Sequence, residues 1–171
     1  ITGFARPNLH FEVRSLWSKV AKLKELEEFL EQTPGAGIIY AATRKRWEEI
    51  AEELTALGLK RKVKPYHAGL EPEQRKAVQD EFMSGRVPVI VATNAFGMGI
   101  DKADLRFVVH YTIPGTLEAY YQEAGRAGRD GQDSRCLLLY AQRDRRIQEY
   151  FIDSAYPDPE IVEQVYDFLR E

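Results

Sequence analysis

Short apolar runs alternate along this chain with longer stretches in which apolar residues recur every three or four positions. The apolar runs begin at Leu9, Gly37, Val63, Val87, Leu105 and Cys136. Runs of this kind predict buried strands, and the periodic stretches between them predict amphipathic helices. The alternation therefore predicts an α/β fold in three layers, with a mainly parallel sheet covered by helices on both faces.

Capping residues predict where the helices begin. Residues 15–32 carry leucines and a valine at helical spacing, with Ser15 placed as the cap. Thr43 and Thr116 are placed to cap two later helices, and Pro72 fits the first turn of another. Polar phrases begin after four strand ends, at Thr43, His67, Thr93 and Gln122. In a parallel sheet ligands gather at the carboxyl ends of strands, so we expect these phrases at that edge.

The composition bounds the class of protein. The chain has 171 residues, a formal net charge of −3 and one cysteine, so its overall charge gives no sign of a nucleic-acid partner. No apolar run is long enough for a membrane helix. The lone Cys136 excludes an internal disulfide and favours a cytoplasmic protein, or a nucleoid-associated one in a bacterium. We expect Cys136 to be a buried apolar residue.

The phrase from Gln122 to Gly131 is rich in arginine and glycine. Arg126 and Arg129 are three positions apart and each follows a glycine. If the phrase is helical, the two guanidinium groups lie on one face, and the glycines leave room for an anionic ligand. A triphosphate is a ligand of this kind, because planar guanidinium groups bind phosphate oxygens in pairs.

This phrase resembles motif VI of the RecQ family of superfamily 2 DNA helicases. The match continues over Gly125–Gly131, with Ala124 where the family usually has Ser or Thr. Residues 4–9 resemble the family's junction between motor domains, residues 66–70 its motif IVa and residues 91–102 its motif V. The resemblance implies a second RecA-like motor domain over residues 1–142, followed by a helical extension over 143–171 that leads to a further domain.

The resemblance also implies a nucleotide site. Arg129 is then the arginine finger for the γ-phosphate of ATP, with Arg126 and Gln122 in the same hydrogen-bond network. Gly99 and Asp101 of motif V belong to the same site. ATP and Mg²⁺ are expected to be held mainly by the upstream RecA-like domain, because this sequence has no Gly-x-x-x-x-Gly-Lys-Ser/Thr phosphate loop.

A track for single-stranded and duplex DNA is the second implied site. By resemblance, its residues are Thr43, Arg44, His67, Ala68, Gly69, Thr93 and Asn94. Read without the resemblance, Thr43 is a helix cap and His67 is a polar loop residue. His10 and His110 have no other metal ligands at suitable spacing, so we assign no metal site. We expect the chain to be monomeric.

The expected function is that of the second motor domain of a 3′–5′ DNA helicase of repair or recombination, inactive when isolated. One alternative is a non-catalytic module that binds DNA or protein. Another is an RNA helicase of the same superfamily, although those usually carry His where Gln122 and Glu123 stand here.

Overall fold

Six parallel strands form one sheet at the centre of the molecule. The strands are β1 (Leu9–Ser15), β2 (Ala36–Tyr40), β3 (Val63–Tyr66), β4 (Val89–Ala92), β5 (Leu105–His110) and β6 (Ser134–Tyr140). Their order across the sheet is β1-β6-β5-β2-β4-β3, and each pairing is parallel. The computed structural model describes residues 6–42, 44–93, 102–155 and 159–170, with only the backbone at 44–45, 147, 151–155, 159, 161–162 and 164–165.

Helices follow the strands as the periodicity predicts. They are α1 (Lys19–Gln32), α2 (Arg44–Ala56), α3 (Pro72–Met83), α4 (Leu117–Ala124), α5 (Gln142–Ala155) and α6 (Pro159–Phe168). Thr116 caps α4 as expected, since its hydroxyl accepts a hydrogen bond from Ala119 N at 3.1 Å. The described helices are of ordinary length and polarity, and none could cross a membrane.

The first helix begins later than the spacing predicts. Its cap is Ser18, whose hydroxyl accepts from Ala21 N at 3.0 Å, so the assignment of Ser15 as the cap is wrong. Ser15 is still in β1, paired with Tyr140 of β6, and Leu16 N donates to Tyr140 O at 2.8 Å. The strand pairing therefore holds these residues extended, where the apolar spacing alone predicted a helix.

Alternate strand residues face two separate cores, which confirms the three-layer prediction. One core lies under α1 and α2 and contains Phe29, Ile50 and Phe107. The other lies under α3 and α4 and contains Phe82, Val108 and Cys136. Burial raises the pKa of the Cys136 thiol to about 12, which fits the expected role of a small apolar residue.

A buried ion pair fastens α5 to the body of the sheet. Lys22 of α1 is 1% exposed and donates to the carboxylate of Asp144 and, at 2.6 Å, to Tyr111 O. Burial lowers the pKa of Lys22, and the charge of Asp144 opposes that shift.

Phe168 and Leu169 at the end of α6 are 77% and 76% exposed. The division of domains after residue 142 stays a prediction.

Candidate functional site

The arginine phrase leaves α4 and continues as a series of turns, which we call the arginine turn (residues 125–131). Helix α4 ends at Ala124. Arg126 N donates to Glu123 O at 3.3 Å, and Ala127 N donates to Ala124 O at 3.1 Å. Gly128 then has φ +58°, which ends any helical path. The phrase is therefore not one helix, and the condition under which both arginines would share a helix face is not met.

The N-terminal residues Arg6 and Asn8 hold the arginine turn in place. The Arg6 guanidinium donates to the carbonyl oxygens of Gly125, Ala127 and Gly128 at 3.1, 2.9 and 3.0 Å. Asn8 Nδ2 donates to Gly128 O at 2.8 Å. Carbonyl groups at the end of a helix lack partners within the helix, and these side chains supply them. The turn is thus fixed by a segment more than a hundred residues away in sequence.

The backbone of the turn lies against the amino ends of the strands. Gly128 N donates to Leu105 O, at the start of β5, at 2.9 Å, and Asp130 N donates to Ala103 O at 3.2 Å. We expected the arginine phrase at the carboxyl ends. That placement is wrong for the backbone of Gly128 and Asp130, because α4 follows β5 and returns the chain to the strand starts, whereas the Arg126 side chain reaches Tyr40, the last residue of β2.

The two glycines before the arginines make room for the protein itself. A Cβ on Gly128 would lie 2.5 Å from Asn8 Nδ2 and 2.8 Å from Ser134 Oγ. A Cβ on Gly125 would lie 2.9 Å from Tyr121 O. The expectation that these glycines open the backbone to an anionic ligand is therefore replaced by close internal packing.

Arg126 and Arg129 differ in exposure, and the charges of both act on the hydroxyl of Tyr40. Arg129 and Gln122 are exposed and Arg126 is partly buried. Burial raises the pKa of the Tyr40 hydroxyl, while the positive charges of Arg126 and Arg129 act in the opposite direction. The charges of both guanidinium groups therefore act on this hydroxyl.

A buried histidine–glutamate pair supports the arginine phrase from inside. His110 Nε2 lies 2.8 Å from Glu123 Oε2, and both side chains are less than a tenth exposed. The His110 ring stacks on Tyr40 with 5.4 Å between centroids. Sequence reasoning missed this pair, although a histidine at the end of an apolar strand was a visible signal. A cavity of about 340 Å³ beside the pair reaches Thr93 at the end of β4.

The candidate DNA residues lie partly outside the described residues. Thr43, Asn94, Gly99 and Asp101 fall outside them, and Arg44 begins α2 with only its backbone described. Thr93 is half-buried at the carboxyl end of β4. Of the predicted DNA residues in this region, Thr93 is thus the one whose side chain the structure places.

In the loop after β3, Ala68 and Gly69 are exposed and the ring of His67 is buried. His67 is 2% exposed, and its ring stacks on Trp47 with 5.4 Å between centroids. His67 Nδ1 accepts from Gly69 N at 3.2 Å, which shapes the loop. Ala68 and Gly69 are exposed. In this arrangement the atoms open to a ligand belong to Ala68 and Gly69, and His67 orients them.

Comparison with known proteins places the chain in a family. The model of the helicase conserved C-terminal domain matches residues 18–131. The chain is 42% identical to the ATP-dependent DNA helicase hus2/rqh1 of Schizosaccharomyces pombe, over 99% of this chain and 13% of that protein. It is 43% identical to the ATP-dependent DNA helicase RecQ of Bacillus subtilis, over 90% of this chain and 25% of that protein. The chain therefore spans a quarter or less of these two relatives.

Solved structures show the same fold. The C-terminal domain of the DEAD-box protein Dbp5 superposes with a TM-score of 0.68 at 25% identity, over 84% of this chain and 86% of that chain. The DEAD-box protein SrmB of E. coli superposes with a TM-score of 0.71 at 21% identity, over 87% and 86%. By its family match and its relatives, the chain belongs to the helicase conserved C-terminal domain family, in the RecQ-type form.

Proposed function

We propose that this chain is the second motor domain of a RecQ-type 3′–5′ DNA helicase, acting in repair or recombination, and that Arg129 is its arginine finger. The observation that carries the proposal is an exposed Arg129 on a turn fixed at three carbonyl oxygens by Arg6. A finger must be positioned before the reaction, since electrostatic stabilisation of a transition state depends on preorganised charge.

In the proposed site, positive guanidinium groups of this domain face the negative phosphates of ATP. ATP, with Mg²⁺, is held by an upstream RecA-like domain, because this sequence has no phosphate loop. Arg129 contacts the γ-phosphate and stabilises the charge that develops on its oxygens during transfer. Arg126 and Gln122 bind in the same network, and Gly99 and Asp101 contribute from motif V.

The DNA track of the proposal runs over the carboxyl ends of β2, β3 and β4. Thr93 stands at the end of β4, and the exposed residues Ala68 and Gly69 follow β3, with the Gly69 amide already donating to His67 Nδ1. Backbone amides and small hydroxyl groups suit phosphate contacts, which position a strand without reading its sequence. Thr43, Arg44 and Asn94 complete the track, with His67 orienting its loop.

Substitution of Arg129 tests the proposal in a protein that joins this chain to a nucleotide-binding motor domain. Arg129→Ala is expected to lower DNA-stimulated kcat for ATP hydrolysis about 10³-fold or more, with nucleotide binding retained. Arg129→Lys is expected to recover little of it, because an ammonium group lacks the planar fork of donors. Steady-state ATPase assays and nucleotide titrations measure the two effects.

Arg86→Ala is the matched control, since Arg86 is an exposed arginine whose guanidinium donates to Ser84 Oγ in a turn before β4. It should hydrolyse ATP at the wild-type rate. Unchanged ATPase activity in Arg129→Ala would contradict the finger and favour the alternative of a non-catalytic DNA- or protein-binding module. Equal unwinding of matched DNA and RNA duplexes would contradict the assignment of DNA as substrate.

A further inference from the structure

An open groove lies at the carboxyl ends of β1 and β6, which we call the Trp17 groove. Its volume is about 490 Å³. Its lining residues are Ser15, Leu16, Trp17, Tyr140, Ala141, Gln142, Arg143 and Arg146. None of these residues belongs to the family motifs or to the arginine turn, so neither of these features explains the groove.

The groove presents an indole ring to solvent on a fixed piece of backbone. Trp17 is 89% exposed, whereas the chain's other tryptophan, Trp47, is 7% exposed. On one side of Trp17, Leu16 N is bonded to the end of β6, and on the other Ser18 caps α1. An exposed ring on a rigid frame offers a large flat surface at little cost in conformational entropy, which suits stacking.

The charge of the groove is positive, although the whole chain has a net charge of −3. Arg143 and Arg146 on the first turns of α5 are exposed, and neither forms an ion pair within the described part of the chain. No carboxylate lines the groove among the described residues. Asp144, between the two arginines in sequence, is buried and already paired with Lys22. The positive charge is therefore not neutralised locally.

The groove lies along the same edge of the sheet as the proposed DNA track. Arg143 also lines a neighbouring cavity of about 250 Å³, together with Ala42, Lys19, Arg46 and the buried Asp144. Ala42 immediately precedes Thr43, the first predicted residue of the track. Three strand spacings separate β1 from β2, or about 14 Å, and all carboxyl ends lie along the same edge. One extended ligand could thus contact both places.

We propose that the Trp17 groove binds a single nucleic-acid strand, with a base stacked on Trp17 and phosphates paired with Arg143 and Arg146. A positive groove that also carries an aromatic platform is the combination that binds single strands without sequence preference. The flanking arginines favour this polyanion over an apolar protein segment. The inference deepens the proposed function, because it lengthens the DNA track of the same domain.

Binding of an oligothymidylate of about 15 nucleotides to the 171-residue chain tests the groove. Since Trp17 is the exposed tryptophan, the oligonucleotide should quench the intrinsic fluorescence at low salt. Trp17→Ala is expected to weaken binding, followed by anisotropy of a labelled oligonucleotide, about 5- to 100-fold. Trp17→Phe should retain most of the affinity, because a phenyl ring still stacks.

The arginines are tested by salt dependence. Arg146→Ala is expected to reduce the slope of log K against log salt concentration by about 0.7, the loss of one contact to a single strand. Arg145→Glu is the control, since Arg145 is the next residue on the helix but lies outside the groove and pairs with Glu149 at 2.7 Å. Arg146→Glu should weaken binding much more than Arg145→Glu, although the net charge changes equally.

Absence of fluorescence quenching, or wild-type affinity in both Trp17→Ala and Arg146→Glu, would overturn the groove as a nucleic-acid site. Neither result bears on Arg129, whose test is ATP hydrolysis. Conversely, loss of the predicted effect of Arg129 would leave the oligonucleotide results standing. The two proposals therefore succeed or fail separately.

Discussion

Gly128 is the residue at which the arginine turn meets the sheet. Its amide donates to β5, its carbonyl accepts from Arg6 and Asn8, and its φ of +58° lies in the left-handed region. Side chains rarely adopt that region, and the space where a Cβ would go is already filled by Asn8, Gln132 and Ser134. A single methyl group here should therefore strain the turn in two ways.

Gly128→Ala is expected to lower the free energy of unfolding by the cost of positive φ, about 1 kcal/mol, plus about 1–3 kcal/mol of overpacking. Gly131→Ala is the matched control, because Gly131 also has positive φ, +82°, but a Cβ there would meet nothing within 4 Å. Urea unfolding of both variants measures the difference. Equal costs would show that the crowding at Gly128 relaxes without penalty.

Single residues also show how far the sequence predicts the site. The motif points to Arg126 and Arg129, and in the structure the charges of both act on the hydroxyl of Tyr40. The sequence does not predict which residues hold that pair in place, because those contacts join distant parts of the chain. Arg6 is bonded to residues about 120 positions later, and a local pattern carries no sign of such a partner.

At the scale of elements, the helix starts predicted from Pro72 and Thr116 were correct, and the start of α1 was not. Strand β3 begins at Val63 as predicted, although it is an edge strand and its four residues are only partly buried. Helix α1 starts at Lys19, four residues after the predicted cap. Pairing of β1 with β6 decided that boundary, and pairing between distant strands is invisible to local spacing.

The contact between α1 and α5 depends on one buried ion pair. Lys22→Met leaves the carboxylate of Asp144 buried without its counter-charge, and is expected to cost about 3–5 kcal/mol of stability. Asp144→Asn alone leaves the ammonium group of Lys22 buried and should also be costly. The double variant, measured by thermal or urea unfolding, is expected to cost less than the sum of the single variants.

Lys24→Met provides the control for the same helix. Lys24 is 74% exposed and lies 3.7 Å from Glu28, so its loss should change stability by no more than about 0.5 kcal/mol. Additive costs for Lys22→Met and Asp144→Asn would show that the two side chains are not coupled. In that case α5 would be held by its other contacts with the domain.

At the scale of the whole molecule, charge is unevenly distributed, and the sum is a poor guide to partners. The net charge of −3 suggested no polyanionic ligand, yet Arg143 and Arg146 face an open groove with no carboxylate among its described lining. Much of the acidic charge is used internally, since Glu49 lies within 3.1 Å of both Lys19 and Arg46. Binding surfaces depend on the charges that remain unpaired at one place.

The division of labour between two motor domains gives the last prediction. The sequence offers guanidinium groups for a phosphate but no loop that could cradle one and no ordinary site for Mg²⁺ beside it. The purified 171-residue chain is therefore expected to show no DNA-stimulated ATP hydrolysis above background, even if it binds oligothymidylate. Adding a nucleotide-binding motor domain in the same polypeptide should restore turnover, and Arg129→Ala should abolish it again. Robust hydrolysis by the chain alone would contradict a site completed by another domain.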